Sequence, residues 1–465
     1  MKIAIIGGGP AGYIAALRAA QLGGQAVLVE YDSLGGTCLN RGCIPTKAML
    51  KSAHIFNDVK SAAEFGILAG APAVDYGKVV SRKNTLVKQL QGGITNLLKA
   101  AGVEQVKGRA RFVTAHTAAV TLADGSVYQL EADRFIIAAG SVPAMPPVAG
   151  LAGCGAMTSD EIFGLAALPK SILILGGGVI GVEFATIFNA FGSAVTVVEM
   201  ADRLVPGLDA DISRELLRSL KAAGVNVLTA HRAEAAAKTA AGYTLTVSGA
   251  DGSQQTLAAE QMLVCVGRQA NTAGLGLENI GVVMERGNIC VDAQMRTNLA
   301  HIYAAGDVNG GVQLAHVASR EGELAAEAAM GHSGTAPVSV YPNCIFTFPE
   351  IGAAGLTEQQ AIERGYKAKI GRFPFAANGK ALVERSMAGF VKVVADADTD
   401  RLLGLHIIGP QATAMLGEGV LAIQNGLTLA QFAEAIRPHP TLNEVLAEAA
   451  LQADNRAFHM PNRPR

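Results

Sequence analysis

The feature that most constrains this chain is a glycine-rich unit that occurs twice. A short apolar run at 2–6 leads into GGGPAG, then a helix-like stretch from Pro10 to Leu22, then a second apolar run that ends at Glu30. The same layout returns at 172–199 as ILIL, GGGVIG, a helix-like stretch and the run VTVV. Corresponding residues are 169 positions apart, and they are Gly7, Gly9, Gly12, Gly23 and Glu30 in the first copy and Gly176, Gly178, Gly181, Gly192 and Glu199 in the second.

Each copy has the pattern of a dinucleotide-binding βαβ unit. The motif G-x-G-x-x-G alone is weak evidence, because glycine-rich turns are common. Here each motif follows a predicted strand, opens a predicted helix and precedes an acidic residue by 18 positions. The glycines let a pyrophosphate approach the N–H groups at the helix start, and the carboxylate accepts hydrogen bonds from a ribose. The repeat therefore predicts two bound dinucleotides.

Composition argues against several classes of protein. Half of the 465 residues are hydrophobic and the formal net charge is −1, so large cores are possible and a basic nucleic-acid surface is not indicated. No apolar run reaches 18 residues, and the apolar start of the chain is interrupted at 7–10 by three glycines and a proline, unlike a signal peptide. We therefore expect a cytoplasmic protein.

Later segments suggest how the chain is divided. The apolar runs FIIAAG (135–140), MLVCVG (262–267) and HIYAAGDV (301–308) are typical of strands that return to a nucleotide-binding sheet. A Pro- and Gly-rich linker is predicted at 141–150 and a boundary near 332–342. The remainder mixes β-rich runs with two helical stretches. We predict an α/β protein of two Rossmann-like domains plus a C-terminal α+β domain, with boundaries 1–145, 146–267, 268–335 and 336–465.

Cys38 and Cys43 form the second informative feature. Pro45 suits a first helical turn, which places Cys43 at a helix N-terminus, where the dipole favours a thiolate. Along a regular helix five residues rise about 7.5 Å, too far for a disulfide, so an irregular 39–42 segment is needed to bring the thiols together. Two unrelated thiols are the alternative; zinc is disfavoured, because no second Cys/His pair has ligand spacing, and no metal is predicted. The remaining cysteines are interpreted as buried apolar residues, and they are Cys154, Cys265, Cys290 and Cys344.

Taken together, these motifs resemble those of the flavoprotein pyridine nucleotide-disulfide oxidoreductases of class I. The resemblance spans 3–444 and is carried by GGGPAG, GGTCLNRGCIPTK, GGGVIGVEFA, MRTNLAHIYAAGDV and HPTLNE. Within the family, GGTCLNRGCIPTK, QLAHVASREG, PEIGAAGLTE and HPTLNE are most similar to the dihydrolipoamide dehydrogenase branch, which oxidises dihydrolipoamide with NAD+.

The resemblance implies roles for six side chains. Cys38 would exchange with substrate sulfur and Cys43 would lie nearest the flavin. Lys47 would pair with Glu183 near the flavin. His439 would be the base, since an imidazole accepts a proton near neutral pH, and Glu444 would fix its tautomer.

The resemblance also implies one FAD per subunit and NAD. FAD would bind at Gly7, Gly9, Pro10, Ala11, Gly12, Glu30, Asp307, Gln313, Leu314, Ala315 and His316. NAD would bind at Gly176, Gly178, Val179, Ile180, Gly181, Glu199 and Gly267. Further cofactor contacts are expected at Gly36, Thr37, Lys47, Ala110, Ala139, Gly140, Arg268 and Gly306.

Partners and rival functions follow from the same resemblance. The family implies a homodimer in which His439 reaches the partner subunit's thiols. A lipoylated acyltransferase of a 2-oxoacid or acetoin dehydrogenase complex, or a glycine-cleavage H-type protein, would carry the substrate. Alternatives are an NADPH-dependent glutathione-type reductase, disfavoured by Glu199, a mercuric reductase, a soluble transhydrogenase and a docking flavoprotein subunit. One departure is Arg437–Pro438, where the family often has His-Ala.

Overall fold

The computed structural model describes residues 1–332 and 339–462. In chain order its strands are β1 (Lys2–Ile6), β2 (Gln25–Glu30), β3 (Glu104–Thr114), β4 (Thr117–Leu122), β5 (Val127–Glu131), β6 (Arg134–Ile137), β7 (Ser141–Pro143), β8 (Met157–Thr158), β9 (Ser171–Leu175), β10 (Ala194–Val198), β11 (Asn226–Leu228), β12 (His231–Thr239), β13 (Gly242–Gly249), β14 (Gln254–Ala259), β15 (Gln261–Val264), β16 (Arg268–Ala270), β17 (Met284–Glu285), β18 (Asn288–Ile289), β19 (Ile302–Ala304), β20 (Asn343–Ile345), β21 (Glu350–Gly355), β22 (Ala368–Pro374), β23 (Phe390–Asp396) and β24 (Leu402–Gly409).

The α-helices lie between these strands or come after them. In chain order they are α1 (Pro10–Gln21), α2 (Gly36–Arg41), α3 (Cys43–Ser61), α4 (Tyr76–Ala100), α5 (Val179–Phe191), α6 (Ala210–Ala222), α7 (Ala315–Ala329), α8 (Glu358–Glu363), α9 (Gly379–Val383), α10 (Ala412–Gln424), α11 (Leu429–Glu434) and α12 (Glu444–Ala453). None of these described helices is long and apolar enough to cross a membrane.

The first glycine-rich unit forms the centre of a seven-stranded sheet, ordered β19-β6-β1-β2-β3-β4-β5. The pairs from β19 to β3 are parallel, and β3, β4 and β5 continue as an antiparallel meander. Ile3 and Ile5 pack towards α1 and α7, whereas Ala4 and Ile6 face Phe112 on the meander side. Both faces of β1 are therefore buried, which explains its uninterrupted apolar sequence.

The second unit forms a five-stranded parallel sheet, ordered β11-β10-β9-β15-β8. The three later apolar runs were correctly predicted, because β6 and β19 lie in the first sheet and β15 lies beside β9 in the second. The predicted linker at 141–150 is partly wrong: it begins with β7, which pairs antiparallel with β16 and forms a two-stranded ribbon. The predicted boundary at 145 lies just after β7, and the one at 267 lies just before β16. The boundary at 335 lies outside the described residues.

The C-terminal part has a five-stranded antiparallel sheet, ordered β20-β21-β24-β23-β22. Its strands β23 and β24 are buried along their whole length and pack against α10, α11 and α12. The expectation of two helical stretches is wrong, since the described residues beyond 343 contain α8 to α12. Three of these have only five or six residues, too few to show helical periodicity in a sequence.

Candidate active site

The two glycine-rich turns have nearly the same backbone. Gly7 and Gly176 have φ of 105° and 111°, a left-handed conformation that favours glycine. Gly9 and Gly178 are the N-caps of α1 and α5, and neither helix has a side-chain cap. The first N–H groups of both helices are thus left for another acceptor, as a bound pyrophosphate requires.

Gly12 and Gly181 are needed for close packing of the helix against the same turns. A Cβ on Gly12 would collide with the carbonyl oxygen of Gly7, and one on Gly181 would collide with that of Gly176. These glycines therefore let each helix pack directly on its strand end. They lie behind the glycine-rich turns 7–9 and 176–178, which with the helix starts form what we call the two cradles.

The acidic residues at the ends of β2 and β10 hold their own glycine turns. Glu30 accepts hydrogen bonds from the N–H groups of Gly8 and Asp32, both at 2.7 Å. Glu199 accepts from the N–H groups of Gly177 at 2.6 Å and Ala201 at 2.7 Å. Each carboxylate is thereby fixed at the edge of the cradle, where the fingerprint predicts a ribose.

A single cavity of about 1390 Å³ joins both cradles. All the predicted site residues line it except Gly12 and Gly181, which lie behind the turns, and His439 and Glu444, which lie elsewhere on the molecule. The volume exceeds the roughly 300–1,000 Å³ of an ordinary small-molecule pocket, so it suits two dinucleotides better than one.

Ser141 is a lining residue that the sequence reasoning missed. Its hydroxyl donates to Asp307 at 2.5 Å and accepts from the Nε of Arg268 at 2.7 Å, so it links two predicted cofactor residues. It directly follows Gly140 at the carboxyl end of a parallel strand, and a polar residue at that edge of a sheet was the available signal.

The two cysteines are brought together by two successive helices. Cys38 lies in the short helix α2, and Cys43 is the first residue of α3. The predicted irregular segment is wrong for 39–41, which is helical; the break is at Gly42 alone, with φ −139° and ψ −113°. A Cβ there would lie 2.9 Å from the carbonyl oxygen of Thr37 and 3.2 Å from the Cα of Cys38, so only a residue without a side chain lets the two helices meet.

The two thiols are free, half-buried and unequal in acidity. The hydrogen bond from the Cys38 thiol lowers the pKa of Cys43 to about 7; burial opposes this shift and the Lys47 ammonium adds to it. The same hydrogen bond, together with burial, raises the pKa of Cys38. Near neutral pH the negative charge of the dithiol therefore lies on Cys43.

Lys47 joins three parts of the chain next to this pair. Its ammonium lies 2.8 and 2.9 Å from the two carboxylate oxygens of Glu183 on α5. Glu183 also accepts from the N–H of Phe346 at 2.9 Å, and the Lys47 nitrogen lies 4.7 Å from the centroid of the Phe346 ring. Phe346 was missed, and no sequence pattern marks it.

His439 lies in the loop before α12, outside the cavity. Its Nδ1 is 2.7 Å from Glu444, whose other oxygen accepts from the N–H of Thr441 at 2.9 Å. Burial raises the pKa of Glu444, but these hydrogen bonds outweigh it and bring the pKa below its ordinary value. The His439 side chain is 80% exposed. Within one chain, the structure pairs this imidazole with its carboxylate but does not bring it to the cysteines.

The unusual Arg437 supports that loop from within. Its side chain is buried, is paired with Glu418, donates to the carbonyl oxygens of Ala435 and Phe432 at 2.9 and 3.1 Å, and lies over the Phe432 ring. The departure from the family pattern therefore places the Arg437 charge inside the fold, while Ile436 beside it is fully exposed.

The four scattered cysteines differ in burial. Cys154 and Cys265 are buried, as predicted. The prediction is wrong for Cys290 and Cys344, which are half-buried, and Cys344 lines the cavity.

Comparison with known proteins gives a consistent result. Residues 1–322 match the family model described as pyridine nucleotide-disulphide oxidoreductase, and residues 341–450 match the dimerisation domain of the same family. A dihydrolipoyl dehydrogenase of Bacillus subtilis is 43% identical over 98% of both chains, and one of Geobacillus stearothermophilus is 41% identical over 98% of this chain and 97% of its own.

Solved structures agree with the sequence relatives. The crystal structure of LpdA from Mycobacterium tuberculosis has a TM-score of 0.89 at 31% identity, covering 97% of this chain and 99% of that one. The HOCl-induced flavoprotein disulfide reductase RclA from Escherichia coli has a TM-score of 0.86 at 29% identity, covering 97% of this chain and 99% of that chain.

Proposed function

The chain belongs to the pyridine nucleotide-disulphide oxidoreductase family and acts as a dihydrolipoyl dehydrogenase, and from this premise we propose how its residues carry out the reaction. Cys38 and Cys43 take two electrons from dihydrolipoamide, and the cavity would hold the FAD and NAD+ that this activity uses. The observation that supports this most directly is the position of the pair: it lies at the start of α3, in the wall of the cavity that both glycine cradles share.

Both cradles fit a dinucleotide. The first, with Glu30, would hold FAD, and the second, with Glu199, would hold NAD; each offers an uncapped helix start and a fixed carboxylate. When bound, FAD supplies the two-electron and hydride chemistry that side chains lack. Glu199 also favours NAD over NADP, because a 2′-phosphate would meet its negative charge.

The thiol step balances within the pair. A substrate thiolate attacks the Cys38 sulfur, the bond between Cys38 and Cys43 breaks, and Cys43 leaves as a thiolate. The second substrate thiol then attacks the mixed disulfide, which releases Cys38 and cyclic lipoamide, so that two electrons reside on the cysteine pair. Cys43 suits the leaving position, since its pKa of about 7 makes it the better leaving group.

The base for this step comes from a second copy of the chain. His439 does not line the cavity of its own chain, is highly exposed and is oriented by Glu444. The dimerisation-domain match supports a homodimer, in which this exposed imidazole can reach the other subunit's Cys38. A lipoylated acyltransferase or a glycine-cleavage H-type protein in the cytoplasm remains our prediction for the substrate carrier.

The test pairs two assays on the flavin-containing protein. One follows NAD+ reduction by dihydrolipoamide, and the other follows NADPH oxidation by glutathione disulfide. We expect turnover in the first alone, and we expect Cys38→Ser to abolish it while flavin stays bound and NADH still reduces an artificial acceptor. Cys290→Ser, outside the cavity, is the matched control and should behave like the unmodified enzyme. Turnover with glutathione disulfide, or an active Cys38→Ser variant, would contradict the proposal.

A further inference from the structure

Helix α12 carries a second pair of histidine and glutamate beside the first. Glu444 is the first residue of α12 and Glu448 comes one turn later, so the two carboxylates lie on the same face, about 6 Å apart along the axis. The Nδ1 of His459 lies 2.8 Å from Glu448, just as that of His439 lies 2.7 Å from Glu444.

The second pair is built as firmly as the first. The other oxygen of Glu448 accepts from the N–H groups of Phe458 and His459 at 3.0 and 3.2 Å, which matches the Thr441 bond to Glu444. Glu448 itself is buried, whereas the His459 side chain is 72% exposed. A buried carboxylate thus fixes the ring through Nδ1, and Nε2 has no partner among the described residues.

The second pair also acts electrostatically on the first. Burial raises the pKa of Glu444 and the hydrogen bond from His439 lowers it; the charge of His459 adds a smaller lowering contribution. On β22, which packs against α12, Lys369 is paired with Asp400 and Asp454, and the Arg372 guanidinium lies over the Phe390 ring. Glu448 binds His459 directly, and Glu444 is close enough to respond to the charge of His459.

We propose that His459 carries the proton of the same reaction onward, taking it from His439 and releasing it to solvent. This inference depends on the proposed function. Oxidation of a dithiol by NAD+ yields a disulfide, NADH and one proton, so a proton must leave His439 in every turnover. Because His439 would be enclosed at the partner's site, a second imidazole held by a carboxylate on the same face of α12 offers a way out. The proton passes from the substrate thiol to Nε2 of His439, then by way of water to Nε2 of His459, then to bulk water, and no bond other than those to the proton changes.

The test compares three variants of the full, flavin-containing enzyme. His459→Asn keeps a donor where Nδ1 stood, so the bond to Glu448 can persist, but it removes the titrating ring. His439→Gln removes the proposed base. His116→Asn is the matched control, because His116 is a histidine on the β3–β4 hairpin, outside the site.

We expect His459→Asn to lower kcat for dihydrolipoamide oxidation about threefold to tenfold, less than the ~10²–10⁴-fold of a direct general base. The KM for dihydrolipoamide should be unchanged. The loss should be largest in dilute buffer and should be reversed by added imidazole, a response that a purely structural anchor for the C-terminal segment would not give.

The outcomes separate the two proposals. An unchanged kcat in His459→Asn, or a loss that imidazole and buffer do not reverse, overturns the relay. If His439→Gln is inactive in the same experiment, the proposed function still stands. An active His439→Gln variant, or unmodified enzyme that does not oxidise dihydrolipoamide, overturns the proposed function itself.

Discussion

Replacing Lys47 with Met tests what makes Cys43 acidic. The pKa of Cys43 is about 7 against an ordinary 9.0, a preference for the thiolate of about 3 kcal/mol at 1.36 kcal/mol per unit. The hydrogen bond from Cys38 is the largest cause, and the Lys47 ammonium adds to it while Glu183 opposes it. An opposite charge about 4–6 Å away shifts a pKa by roughly 1–3 units, and Lys47 shares its charge with Glu183. We therefore expect Lys47→Met to raise the pKa of Cys43 by about one unit.

The partner residue supplies a change of opposite sign. Glu183→Gln leaves the Lys47 ammonium unneutralised beside Cys43, so the pKa of that thiol should fall. Stability should respond differently. Lys47→Met strands a carboxylate that is 5% exposed, so its cost should approach the ~3–5 kcal/mol of a broken buried pair, whereas Glu183→Gln strands an ammonium that is 29% exposed and should cost less. The double variant removes both charges and should recover most of the stability while the pKa stays raised.

The assay is the rate at which iodoacetamide alkylates Cys43 in the reduced protein between about pH 5 and 10, read by peptide mass spectrometry. Each variant gives a midpoint, and Cys290, which lies outside the cavity, provides an internal reference for reagent reactivity. Opposite movements of the midpoint in the two single variants are the expected result. Midpoints that stay in place, or that move in the same direction in both, would refute the assignment of Lys47 and Glu183 as opposing charges on Cys43.

Two further predictions concern the cradles and the C-terminal core. Gly181→Ala should abolish NADH-dependent turnover while flavin stays bound, and Gly12→Ala should give protein without flavin, because the new methyl group collides with a backbone carbonyl oxygen in each case. Gly92→Ala, at an open position of α4, is the control. Gly12→Ala protein that still contains flavin would contradict the reasoning. Burial lowers the pKa of His406, so the native state does not take up the proton that the unfolded chain binds below about pH 6.5, and stability should fall by up to ~2 kcal/mol from about pH 6.5 to 5. His406→Gln, which can still donate to Leu356, should flatten this slope in urea titrations, and an unchanged slope would show that another group causes it.

The local structure of the glycine units could be predicted because it depends on residues close in sequence. The helix from Pro10 and the strand ending at Glu30 are expected from an apolar run, a proline at N1 and the acidic fingerprint residue, and the structure confirms them. The duplication then allows the second unit to be predicted from the first, to within a residue or two at each end.

Contacts between distant segments could not be predicted in this way. Phe346 reaches Glu183 through a backbone N–H, which has no signature in the sequence. Ser141 links Asp307 to Arg268 only because β7 pairs with β16. The resemblance to a family supplied the pairing of Lys47 with Glu183, which residue patterns alone do not contain.

The duplicated units also show where their functions diverge. The acidic residues of the two cradles make matching hydrogen bonds. We therefore attribute the different functions of the two units to the segment that follows each acidic residue. In both copies a helix of more than ten residues begins about a dozen residues later, α3 at Cys43, after the short α2, and α6 at Ala210. In the first, that helix start carries a thiol inside the cavity, where the hydrogen bond from Cys38, the Lys47 ammonium and the helix dipole favour a thiolate.

In the second copy, the same position serves as an anchor. Asp209 caps α6 and, with Asp211, binds the buried Lys392 of β23, at 2.9 and 2.8 Å. A helix N-terminus stabilises negative charge in both cases, but that charge is a redox thiolate in one unit and a carboxylate tied to the C-terminal sheet in the other. Asp209 and Asp211 thus tie the second unit to the C-terminal sheet, whereas α3 keeps Cys43 in the cavity wall and meets the C-terminal part through Lys47, which lies over the Phe346 ring. One duplicated fold thus provides both a reactive site and the support that keeps the nucleotide-binding unit in place beside it.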